Sequence, residues 1–138
     1  MTQTDDRVKT LTLALMDPPY ENARTTTAFR LIDAALRRGH TVQVFAYEGA
    51  VNLTMAEQAP HPNPVKGTSV EEERHPTTKD WVAALFALAD GRLRWVNCGL
   101  CVDERGAGNW IEGPSRGGPK NFVEFVTGSD QTIVVPTR

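Results

Sequence analysis

The sequence predicts a single-domain α/β fold, a three-layer sandwich whose mainly parallel sheet of about five strands carries helices on both faces. Three observations lead there. Strand-length apolar runs alternate with longer stretches whose apolar residues recur at three- and four-residue spacing. The connections between the first strand, helix and strand are short, which makes a right-handed βαβ unit and a parallel sheet. The 138 residues make about one average domain, and no internal repeat divides them.

Leu11 to Met16 (LTLALM) is a short buried strand, stopped by Asp17-Pro18-Pro19-Tyr20. Thr25 to Arg38 follows as a helix: Phe29, Ile32 and Leu36 form its apolar stripe, and Ala28, Leu31 and Ala35 widen it. Threonines stand at its start, arginines in its last turn and Gly39 just past its end. Thr41 to Ala46 (TVQVFA) is β-branched and aromatic and makes the second strand. Ala50 to Met55 has the length of a short helix. Residues 58–78 hold four prolines, few apolar side chains and the charge cluster Glu71-Glu72-Glu73-Arg74, so a long exposed loop is expected there, partly disordered when the protein is alone. Asp80 to Ala89 resumes a helical stripe through Trp81, Leu85 and Leu88, and Gly91 closes it. Leu93 to Asn97 (LRWVN) is the third strand. Gly106 to Gly118 is glycine-rich, with a short turn at Asn109 to Ile111. Pro119 opens a last helix to about Thr127, and Thr132 to Val135 (TIVV) is the last strand.

Composition narrows the function classes. Fifteen Lys and Arg stand against seventeen Asp and Glu, a net charge of −2, which argues against a nucleic-acid footprint. No apolar run approaches the length of a membrane span. Residues 1–9 read as a polar tail with no signal-peptide core, so the expected compartment is the cytoplasm. There, a structural disulfide is not expected.

The two cysteines stand as Cys98-Gly99-Leu100-Cys101 at the carboxyl end of the third strand, the edge where open parallel sheets gather their chemistry. A helical turn over 99–104 would place amide N–H groups near the Cys98 sulfur, and Arg105 would add positive charge, both favouring a nucleophilic thiolate. The bland alternative is two inert buried cysteines. A structural zinc site needs four ligands, and His40, His61 and His75 lack the spacing to complete one, so no metal is expected, a metal shared across a dimer being the minor alternative. Glu48 and Asp103 are conceivable proton carriers, better read as solvated surface carboxylates. There is no Ser/His/Asp arrangement, phosphate loop or dinucleotide fingerprint, and no cofactor is implied.

Taken in order, the segments resemble the DsrE/TusD family of sulfur-relay proteins. LALMDPPYENARTTTAFRLIDAALRRGHTVQVFAYEGAV is similar to that family's start, with Gly49-Ala50-Val51 one residue longer. Asn97 to Gly106 resembles its cysteine segment, in which a strand-end cysteine precedes an Arg-Gly pair, here Arg105-Gly106. Asn121 to Val135 matches its end. Counted back from Arg105-Gly106, Cys98 falls on the persulfide-carrying cysteine of the TusD branch. Cys101 matches the second cysteine of homologues with a C-G-x-C-x-x-x-R-G pattern. The insertion from Pro60 to His75 departs from the TusD branch.

The resemblance implies a sulfurtransferase acting through a persulfide on Cys98, with Cys101 a second carrier or a resolving thiol. Amides of Gly99, Leu100 and Cys101 would stabilise the sulfur anion. Tyr20, Trp110 and the loop 106–118 would shield it. The implied partners are small sulfur-carrier proteins as donor or acceptor, with a trimer, a hexamer or a mixture with paralogous subunits as the assembly. Two rival readings stay open: a thiol–disulfide redox or sensor protein using the same pair, and a non-catalytic subunit of a larger complex.

Overall fold

In the computed structural model, which describes residues 7–62, 65–72 and 77–137, five parallel strands form one sheet. The strands are β1 (Thr10–Leu15), β2 (Thr41–Ala46), β3 (Leu93–Cys98), β4 (Ser115–Gly117) and β5 (Gln131–Val135). Their order across the sheet is β4-β3-β2-β1-β5. The chain steps outward from β1 to β4 and then returns to place β5 on the other side of β1. That reversal is the topological switch point at which open α/β sheets form a crevice beyond the strand ends.

Alternation along the strands divides the core in two. Leu13 and Leu15, Val42 and Val44, and Leu93 and Trp95 face helices α1 (Arg24–Arg37) and α2 (Thr78–Ala89), whose Phe29, Ile32, Leu36, Val82 and Leu85 complete this layer. Phe45, Val96 and Cys98 face the other way, against α3 (Gly99–Arg105) and α4 (Pro119–Thr127), which contribute Cys101, Val102 and Phe125. Both faces are therefore covered. Registers run Leu13↔Val44 between β1 and β2, and Val44↔Trp95 between β2 and β3.

The helix ends follow local chemistry. Thr77 caps α2 by accepting the N–H of Asp80, and Asp90 and Gly91, both left-handed, end it. Gly106, at φ 60, closes α3. Pro119 sits in the first turn of α4, and Asn121 Oδ1 accepts the N–H of Gly118.

Three details differ from the sequence expectation. The segment after β2 is a 3₁₀ helix over Glu48–Thr54, beginning two residues earlier than read. Helix α2 begins at Thr78 rather than Asp80, because Thr77 supplies the cap. The glycine-rich stretch contains strand β4, which pairs Val96↔Ser115, Asn97↔Arg116 and Cys98↔Gly117. Gly117 is needed there, since a Cβ would collide with Val96 and Asn121. Within the expected long loop, Gln58 is tied to the body through bonds to Asn52 O, Thr78 Oγ1 and the N–H of Lys79. His75 and Pro76 lie outside the described residues, as do Pro64, Glu73 and Arg74.

Candidate functional site

Strand β3 fixes the site. Asn97 is fully buried: its Oδ1 accepts from Trp95 Nε1 at 3.1 Å, and its Nδ2 donates to Thr54 Oγ1 at 3.0 Å. These bonds anchor the strand end to the 3₁₀ segment on one face of the sheet. The next residue, Cys98, therefore points to the other face. It is also the N-cap of α3, with φ −63 and ψ 119, so strand passes into helix without a linker. The expected helical turn is present, but the Cys98 thiol makes no capping hydrogen bond to its amides.

Cys101, one helical turn on, lies beside Cys98, within hydrogen-bonding reach of its thiol. Both cysteines are free, at 7% and 8% exposure, in a cluster with Phe45, Val51 and Val96. The sulfur of Cys101 accepts the backbone N–H of Glu48 at 3.1 Å. Burial pushes the Cys101 thiol above its ordinary value of 9.0. The Glu48 N–H opposes this, while contact with Cys98 and the Glu48 charge add to it.

Two arginines bracket the pair. Arg105 donates to Glu48 Oε2 at 3.0 Å and to the Cys101 carbonyl at 3.4 Å, tying α3 to the 3₁₀ segment. Arg116, on β4, grips Asp103 with two bonds of 3.0 and 2.7 Å. Its guanidinium lies over Gly99, where a Cβ would come within 2.8 Å of it. The hydrogen bonds from Arg116 hold the Asp103 carboxyl below the usual carboxylate range. In return the hydrogen bonds and charge of Asp103 hold Arg116 in its cationic form. Arg116 had no signal in the sequence: it stands in a glycine-rich stretch at no telling spacing from the cysteines.

A cleft of about 620 Å³ opens beyond the carboxyl ends of β1, β2 and β5, at the switch point. Met16, Pro18, Tyr47, Glu48, Asn52 and Arg105 line it. Two of these, Glu48 and Arg105, also touch Cys101.

The structure gathers most of the sequence-read residues here, but not all. Gly99 is buried in the first turn of α3, Leu100 next to it is 71% exposed, and Gly106 ends the helix. Trp110 packs against the cysteine cluster and donates its Nε1 to Pro114 O at 3.0 Å. Tyr20 stands elsewhere. It lines a separate cavity of about 340 Å³ with Phe29, Thr78 and Trp81, its ring edge-on to His61. Its left-handed backbone, φ 67, carries the loop after Pro19 toward α1 and α2. Glu48 and Asp103 both sit at the site, each engaged by an arginine. Among the described residues no group of three or more His, Cys, Asp or Glu could hold a metal ion, and no helix is long and apolar enough to cross a membrane.

Comparison with known proteins agrees with this architecture. No curated protein matches the chain significantly. The crystal structure of the YchN protein from E. coli superposes with a TM-score of 0.75 over 92% of this chain and 99% of that one, at 16% identity, a likeness of fold. The DsrE/DsrF-like family matches residues 9–135, nearly the whole chain. With its all-parallel sheet and its cysteine pair at the end of β3, the chain belongs to the DsrE/DsrF-like family.

Proposed function

We propose that the protein takes up sulfane sulfur on Cys98 as a persulfide and passes it to the thiol of a small carrier protein. Family membership suggests sulfur relay in general. The observation that carries the specific reading is the placement of Cys98 at the junction of β3 and α3, beside a second free thiol and the Arg116 cation. In the loading step, the Cys98 thiolate attacks the outer sulfur of a sulfane donor. A new S–S bond forms, and the donor leaves as its thiolate or sulfite anion. The Arg116 guanidinium, which lies over the adjacent Gly99, is the cation nearest the sulfur that carries the charge in each step. In the transfer step, the acceptor thiolate attacks the terminal sulfur, and Cys98 leaves as thiolate. No net oxidation occurs in either step.

The reading places the protein in the cytoplasm as a homo-oligomer or as one subunit among paralogues. Exposed Val123 and Val126 of α4, and Ile133 and Val134 of β5, are apolar surface that suits assembly. A second reading has an observation of its own. The contact between the two thiols also suits a reversible Cys98–Cys101 disulfide.

The test is transfer itself. Reduced protein is incubated with thiosulfate or polysulfide, desalted, and given a low-molecular-weight acceptor thiol. Wild type is expected to deliver sulfane sulfur and Cys98→Ala to deliver none. Transfer by Cys98→Ala at the wild-type rate would overturn the assignment.

A further inference from the structure

Glu48 does three unusual things at once. It is a non-glycine residue at φ 51, in the left-handed region that disfavours an ordinary side chain. In that conformation its N–H points at the Cys101 sulfur, 3.1 Å away. Its carboxylate, more than half exposed, is held by Arg105, which also donates to the Cys101 carbonyl. The next residue packs so closely on Pro18 that a Cβ at Gly49 would fall 2.8 Å from the proline ring. The segment is thus pinned at Pro18 on one side and at Arg105 on the other. Backbone strain of this kind survives only where its surroundings over-determine it, and such strain gathers at functional sites.

We infer that Glu48 is a positioning residue for Cys101: its ion pair with Arg105 keeps the strained backbone N–H trained on the Cys101 sulfur, which makes Cys101 a second reactive sulfur of the site rather than core packing. This rests on the sulfur-site reading above. It deepens that reading by assigning Cys101 a donor that stabilises its anion, whether the thiolate then attacks the terminal sulfur of the Cys98 persulfide, releasing Cys98 as thiolate, or attacks the Cys98 sulfur itself, closing a disulfide and expelling hydrosulfide.

Glu48 acts on Cys101 in two opposite senses, which makes the inference decidable. Its N–H favours the anion. Its carboxylate disfavours it, and more weakly. The other charged or titratable groups around Cys101 are Cys98 at the strand end, Tyr47 beside the 3₁₀ segment, Asp103, Glu104 and Arg105 on its own helix, with Glu104 3.6 Å from Arg105, and Arg116 on β4.

The experiment follows the alkylation rate of Cys101 against pH in full-length protein carrying Cys98→Ala, in which Cys101 is the single remaining thiol. Adding Glu48→Ala breaks the ion pair and releases the N–H, so the midpoint is expected to rise by on the order of one pH unit. Arg105→Ala, which leaves the Glu48 carboxylate in place, is expected to raise it as well. Glu48→Gln, which can still accept from Arg105, is expected to restore the midpoint to its parent value or slightly below. A fall or no movement with Glu48→Ala would overturn the inference, since a residue acting only through its charge lowers the midpoint when removed. Circular dichroism on each variant separates loss of fold from loss of the contact. Because the readout is the thiol's own titration, it succeeds or fails independently of whether the protein loads sulfur.

Discussion

At the residue scale, the two cysteines differ through their neighbours rather than their spacing. Cys98 stands next to Gly99, over which the Arg116 guanidinium lies, while Cys101 meets a backbone N–H inside an apolar cluster. The raised Cys101 pKa has a consequence for stability. Near neutrality this thiol is protonated in both folded and unfolded chains and exerts no pH dependence. From about pH 8.5 upward the unfolded chain ionises first, so stability falls as pH rises through the native pKa and levels off beyond it. Urea titrations are expected to show a steeper alkaline fall for wild type than for Cys101→Ala, and equal slopes would contradict the burial argument. The C-x-x-C spacing was visible in the sequence, as were Arg105 and Gly106 behind it. Arg116 was not, because its proximity to Gly99 depends on the pairing of β4 with β3. The N–H of Glu48 was not either: the sequence shows a carboxylate there, and neither a left-handed φ nor a backbone donor leaves a mark on residue type.

At the element scale, β3 and its buried Asn97 set the position of everything that follows. Replacing Asn97 by Leu leaves the Thr54 hydroxyl and the Trp95 N–H buried with no partner, and is expected to cost about 2–4 kcal/mol in chemical denaturation. A loss below about 0.5 kcal/mol would mean that the strand end is held by packing alone. Strands β1, β2 and β3 and helices α1 and α2 were legible through their buried apolar residues. Helix α4 and strand β5, whose Val123, Val126, Ile133 and Val134 are exposed, were legible through Pro119, Gly128 and a β-branched run instead. Strand β4 was not, since Ser-Arg-Gly has no apolar alternation and exists by pairing with β3. The loop after β1 reaches the cleft through Pro18, but Tyr20 turns away from it to line a separate cavity. The turn after Pro19 depends on a left-handed tyrosine that residue preference does not foretell.

At the scale of the whole molecule, the sheet order brings the carboxyl ends of β1, β2 and β5 around one cleft. The cysteine pair stands at the neighbouring end of β3, touched by two of that cleft's lining residues. The near balance of charge argues against a nucleic-acid footprint, and no single-chain pattern determines how copies assemble. The apolar side chains exposed on α4 and β5 lead to the expectation that the 15.2 kDa chain elutes from a sizing column as a multiple of itself. Elution as a monomer across a wide range of concentration would remove the oligomer from the account.

The central claim is that Cys98 holds a sulfur atom. The most direct measurement is the intact mass of wild type, Cys98→Ala and Cys101→Ala after exposure to a sulfane donor. The account predicts a gain of one sulfur in wild type and in Cys101→Ala, reversed by reductant, and no gain in Cys98→Ala. A loss of two hydrogens in wild type alone, with no added sulfur in any of the three, would contradict it and identify the pair as a disulfide switch.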